Sequence, residues 1–156
     1  MHCATLLQAV KSNRGGNTVG QQQLLLIVLS VVVVGIAVTL GITMFSDSSI
    51  DANRDEITND LNNLASRAHQ YYRRPSYLGG GGNSFSGLTA DAAGIARLTN
   101  TPKNDNGVYT IASAGAGSGT SACVEILGIG TETYEGSPVA VRVRVYPDRD
   151  SIWVVN

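Results

Sequence analysis

The chain has 156 residues, with 11 Lys and Arg against 12 Asp and Glu and a formal net charge of −1. That balance, with no basic cluster interleaved with aromatics, excludes the electrostatic footprint of a nucleic-acid-binding protein. Cys3 and Cys123 are too far apart to form a metal motif, and a lone cysteine left after loss of an amino-terminal segment builds no disulfide framework.

Residues 1–20 read as a leader peptide whose only charges are Lys11 and Arg14. Without them, 9 basic residues face 12 acidic ones, a net charge of −3. Then comes an apolar run, "LLLIVLSVVVVGIAVTLGITMF", 22 residues from Leu24 to Phe45 without a charge. As a helix it spans roughly 33 Å, enough for a hydrocarbon core roughly 30 Å thick. Its β-branched residues favour strands in water, but an isolated strand in lipid leaves its backbone unsatisfied, so a helix is expected. Lys11 and Arg14 precede the span and Asp47 and Asp51 follow it, which places the amino end in the cytoplasm and the remainder outside. A cleaved secretory signal is the rival reading, but its apolar core is normally about 7–15 residues and ends in a small-residue cleavage site.

Residues 46–75 continue at helical spacing, with Ile57, Leu61, Leu64, Ala68 and Tyr71 on one face. Asp51, Asp55, Glu56 and Asp60 crowd the first half, and Arg67, Arg73 and Arg74 the last turns, an order that suits the helix dipole. Pro75 and the "GGGG" of Gly79 to Gly82 end the helix. One helix of about fifty residues, apolar first and amphipathic second, is the expectation.

Residues 76–156 shift to Gly, Ser, Thr and Ala with strand-like islands: Val108 to Ala112 after an Asn106-Gly107 turn signal, Cys123 to Ile129, Val139 to Tyr146, and Ile152 to Val155. In the third island Val139, Val141, Val143 and Val145 face one way, and Arg142, Arg144 and Tyr146 the other. The pattern predicts an antiparallel meander of about four strands, with Trp153 counted in its core beside Val141, Val143 and Val145. Its apolar face pairs with the stripe from Ile57 to Tyr71, giving an α+β fold. Residues 88–98 are expected to add a short helix.

A short basic leader, a glycine, a long apolar-then-amphipathic helix and a small sheet together resemble a type IV pilin or a type II secretion pseudopilin. The likeness covers the whole chain in architecture and is carried in sequence by residues 14–45. It implies cleavage by a prepilin peptidase between Gly20 and Gln21, with Gln21 as the N-methylated amino end. It implies an inner-membrane protein with a cytoplasmic amino terminus, which then joins a periplasmic or extracellular filament with itself or related pilins through residues 21–45. The chain departs from the family at Gln21, where an aromatic or methionine is usual, and at Leu25, where the family carries a glutamate that pairs with a neighbour's amino terminus. The leader is also longer than usual, and Cys123 alone cannot form the family's carboxyl-terminal disulfide.

Leu25, Ser30, Gly35 and Gly41 are the candidate helix–helix packing residues, with Ala37, Thr39 and Thr43 as further small ones; the same residues are also ordinary in membrane helices. The glycine-rich segments lack the Lys-Ser or Lys-Thr of a phosphate loop and read as loops. His69 has no second histidine at ligand spacing, and Asp148 with Asp150 offers calcium two carboxylates where about six to eight oxygens are needed. No nucleophile has a base beside it. No catalytic residue, cofactor or metal is therefore expected. Alternatives to the filament subunit are a single-pass anchored extracytoplasmic binding protein that does not polymerise, and an exported carrier or small enzyme.

Overall fold

The computed structural model describes residues 16–116 and 122–156; residues 1–15, with His2, Cys3, Lys11 and Arg14 of the expected leader, and most of the second glycine-rich segment lie outside them. The elements are helix α1 (Gly16–Arg73), a 3₁₀ turn (Ser76–Leu78), helix α2 (Ala92–Ala96) and strands β1 (Gly107–Ala116), β2 (Cys123–Tyr134), β3 (Ser137–Val145) and β4 (Asp150–Val154). The chain forms two compact units that meet in sequence after Phe45.

In the first unit, every large apolar side chain from Leu24 to Phe45 is more than half exposed, from 53% at Val32 to 78% at Phe45. The helix is apolar on all sides, and α1 is the one helix among the described residues long and apolar enough to cross a membrane. Such a surface belongs in lipid or against other helices, because water gains nothing by covering it. Its hydroxyls are already satisfied: Ser30 donates to the carbonyl of Ile27 at 2.8 Å, Thr39 to Ile36 at 2.8 Å and Thr43 to Leu40 at 2.9 Å. This is the arrangement a polar side chain adopts where no water is at hand.

The second unit, the head (Ser46–Asn156), is a four-stranded antiparallel sheet in the order β1-β2-β3-β4, with the later part of α1 packed on one face. Ile57, Leu61, Leu64, Ala68 and Tyr71 are all buried, as are Val141, Val143 and Val145. Ile50 and Ala65 extend the helical stripe, and Tyr109, Ile111, Val124, Ile126 and Val139 complete the sheet's inner face. Fully burying each large side chain of this set contributes about 1.5–3 kcal/mol.

Trp153 is not part of that core. The register sets Ile152 against Val143 and Trp153 against Arg142, so strand alternation turns Trp153 to the outer face. It is 36% exposed there, with the Arg144 guanidinium 5.5 Å above its ring. Arg144 in turn is paired with Glu125 across the β2–β3 ladder.

The β2–β3 hairpin turns through Glu135 (φ 49°) and Gly136 (φ 81°), the pair of left-handed residues that a tight hairpin of the right twist requires. After Pro75 the glycine-rich segment folds back on the helix it follows. The amides of Gly81, Gly82 and Asn83 donate to the carbonyls of Tyr71, Arg74 and Tyr72 at 2.7, 2.9 and 2.8 Å. These bonds satisfy carbonyls that a helix end otherwise leaves open. Beyond it Phe85 is fully buried, and its ring lies 4.8 Å from that of Tyr72. The expected helix over residues 88–98 is confined to Ala92–Ala96, because Asp91 is extended and its carboxylate caps the Gly94 amide at 2.8 Å.

Two glycines set the distance between α1 and the sheet. A Cβ on Gly128 would stand 2.6 Å from the Ile57 methyl, and one on Gly130 would overlap the Asn53 side-chain oxygen. Gly128→Val is therefore expected to destabilise the head by about 1–3 kcal/mol through overpacking. Chemical denaturation of the full chain in detergent, followed through the sheet's circular dichroism, checks this.

Candidate functional sites

The apolar half of α1 and the surface of the head carry separate candidate sites. On the helix, Gly20 and Gln21 lie early in α1 and are exposed. Leu25 is 69% exposed, and the positions where Gly35 and Gly41 would carry a Cβ are open. At about 100° per residue, Ser30, Ala37 and Gly41 fall within about 40° of one another, whereas Gly35 lies at least about 120° away with Thr39 and Thr43 on its own side. The small residues therefore form two stripes rather than one.

On the head, α1 and the segment leading into β1 border a polar cleft of about 480 Å³ that includes Asp60, Asn63, Arg67, Thr101, Asn104 and Tyr109. Asp60 is its organising group. Its Oδ2 accepts the Tyr109 hydroxyl at 2.5 Å, the Asn104 amide at 2.7 Å and the Asn106 amide at 3.2 Å. Partial burial pushes this carboxyl upward, but the three hydrogen bonds outweigh it and hold the group below its ordinary value. Burial, the bond to Asp60 and that carboxylate's charge push the Tyr109 hydroxyl well above its ordinary value.

Asn104 also fixes the turn into β1, its side-chain oxygen accepting the amides of Asn106 and Gly107 at 3.1 and 3.0 Å. Asn53, one helical turn before Ile57, donates to the Asn106 carbonyl at 2.9 Å. Sequence reasoning placed Asp60 only among the acidic residues of the helix and missed its partners. The signal was the "NDNG" run, whose two asparagines supply side chains to a turn and to a neighbour at once.

His69 meets Asp150 at 2.8 Å and so ties α1 to β4, while Asp148 lies 3.6 Å from Arg149. The two aspartates thus face different partners rather than a shared point. Tyr71 is in the core, Tyr72 packs on the loop residue Phe85, and Tyr77 is 84% exposed. No cluster of three or more His, Cys, Asp or Glu side chains with metal-site geometry occurs among the described residues.

With fold and sites in view, the architecture is pilin-like: a long helix, apolar at its amino end, whose later part packs on a small antiparallel meander. No protein-family model, curated protein or solved structure matches the chain.

The Asp60 cluster gives a pH signature at both ends of the scale. A carboxyl held low in the folded state contributes stability above its unfolded value of about 4, lost as pH falls through the folded value. A tyrosine held high contributes stability below its unfolded value of about 10, lost as pH rises through the folded one. Tyr109→Phe is expected to cost about 1–2 kcal/mol at neutral pH and to lose stability less steeply than the parent above pH about 10. Urea midpoints across the pH range, parent minus variant, measure both effects.

Proposed function

We propose that the chain is a structural subunit of a type IV pilus-like or pseudopilus-like filament, held first in the inner membrane through residues 21–45 with its amino end in the cytoplasm. A prepilin peptidase removes the leader between Gly20 and Gln21, and the apolar helix then leaves lipid for a bundle of like helices. The observation that carries this reading is the helix from Leu24 to Phe45, apolar on every side and uncovered by its own chain, in an architecture that is pilin-like. Its role is mechanical rather than catalytic.

Two features of the helix fit transfer from lipid into a bundle. Hydroxyls bonded within the helix cost little in either setting. Stripes of small residues on two sides let more than one neighbour approach closely, where dispersion packing rather than the hydrophobic effect must supply the attraction. The second reading, an anchored extracytoplasmic binding protein, is favoured by the polar cleft at Asp60, and the two share the same head.

Mass analysis of the amino-terminal peptide from protein purified out of native membranes or filaments separates them. A chain beginning at Gln21 and carrying one added methyl is expected. A chain retaining residues before Gly20 would end the filament reading.

Leu25 stands fifth after the cleavage point, so the subunit lacks the carboxylate that would attract a neighbour's amino terminus in an apolar surrounding, where charge pairs act strongly. Leu25→Glu is expected to raise filament yield severalfold at unchanged processing. Quantifying sheared filaments against total cell-associated protein tests this, and an unchanged yield would remove Leu25 from the account.

A further inference from the structure

The last turns of the helix and the segment after α2 border a second cavity of about 450 Å³, whose lining includes Arg67, Gln70, Tyr71, Arg74 and Arg97. Its volume lies within the roughly 300–1,000 Å³ of small-molecule sites. The charged residues that line it are all arginines. The ion pairs of the described residues engage Arg54, His69, Arg142, Arg144 and Arg149, so no carboxylate lies within pairing distance of the three arginines that line it. The remaining residues of the chain contain no Asp or Glu. Asp91, the acidic residue closest in sequence to Arg97, feels that guanidinium's charge without forming an ion pair with it; its Oδ1 is engaged by Thr89 at 2.7 Å and by the Gly94 amide at 2.8 Å.

The cavity is organised rather than merely basic. Arg67 is anchored by a 3.0 Å bond from its Nη1 to the Leu98 carbonyl. Arg97 and the Tyr71 hydroxyl converge on Gly87: a Cβ there would overlap the hydroxyl and lie 3.8 Å from Arg97 Nη1. The absence of a side chain at residue 87 is what admits the Tyr71 hydroxyl there. The helix end beside it would ordinarily repel an anion through its bare carbonyls, but those of Tyr71, Tyr72 and Arg74 are occupied by amides of the glycine-rich loop.

Three exposed arginines border one space, and their like charges favour an anion among them. A hydroxyl and a carboxamide add further donors. A carboxylate presents its lone pairs in one plane, whereas a tetrahedral oxyanion presents acceptors in several directions, which suits donors arriving from the helix end and from the chain after α2. We propose that this cavity binds a phosphoryl or sulfuryl group, free or carried on a small ester.

The test is isothermal titration of the full chain in uncharged detergent micelles at constant ionic strength. The probes are inorganic phosphate, sulfate and glucose 6-phosphate, with acetate as the planar control. Saturable binding of phosphate is expected, weakened at least about tenfold by Arg74→Gln and by Arg97→Gln. Arg73→Gln, one residue from Arg74 but outside the cavity lining, should bind like the parent. Tighter binding of glucose 6-phosphate would assign the natural ligand to the esters, and equal binding of phosphate and sulfate would mean that shape and charge alone are read. The proposal is overturned if no tetrahedral anion binds saturably, if acetate binds as tightly as phosphate, or if Arg73→Gln weakens binding as much as Arg74→Gln. Melting curves of each variant establish that a loss of binding is not a loss of fold; should Arg74→Gln unfold, Arg97→Gln decides alone.

Discussion

The head depends on how near α1 comes to its sheet. Packed layers of secondary structure normally stand apart because side chains fill the space between them. Here β2 presents bare backbone at Gly128 and Gly130, and Ile57 and Asn53 occupy the space. That contact fixes the helix against the meander. The valines of β3 and the stripe from Leu61 to Tyr71 can then close one dry core with no buried charged or polar residue among those described. It also brings an amide-bearing side chain, Asn53, to the start of β1, where Asn106 needs a donor for its carbonyl.

The polar features are arranged around this dry core rather than within it. Asp60 gathers the turn before β1, His69 reaches β4, and Arg67 holds the chain after α2. Each runs from α1 to a different part of the distal chain, so the helix acts as a spine to which three segments are pinned. A pinned spine transmits load: force applied along α1 reaches the sheet through packed side chains and through these bonds together. That property suits the role of filament subunit proposed above.

How much of this was legible in the sequence depended on periodicity. The stripe from Ile57 to Tyr71 repeats every three or four residues and the valines of β3 every two, so both announced their buried faces. Trp153 illustrates the limit. In a five-residue strand such as β4, no long alternation fixes the parity, and hydrophobicity alone suggested the core for a ring that instead shelters Arg144. Phe85 erred in the other direction, since a single aromatic among glycines and serines gives no period, yet it is fully buried. The Asp60 cleft joins residues 44 to 49 positions apart in the chain, and side-chain partnerships at that separation leave no trace in local pattern. The apolar helix was the plainest feature, because length and the absence of charge suffice to read it.

The turn into β1 has a consequence for how the protein ages. An asparagine followed by glycine is the sequence most prone to spontaneous deamidation, in which the glycine's backbone nitrogen attacks the preceding side-chain amide and closes a five-membered ring. Asn106 and Gly107 are such a pair. Both reacting groups are held elsewhere: the Asn106 amide donates to Asp60, and the Gly107 nitrogen donates to Asn104. Ring closure must break both bonds and rotate a backbone whose carbonyl Asn53 also grips. The carboxylate that organises the cleft thereby also restrains the side chain on which that chemistry would begin.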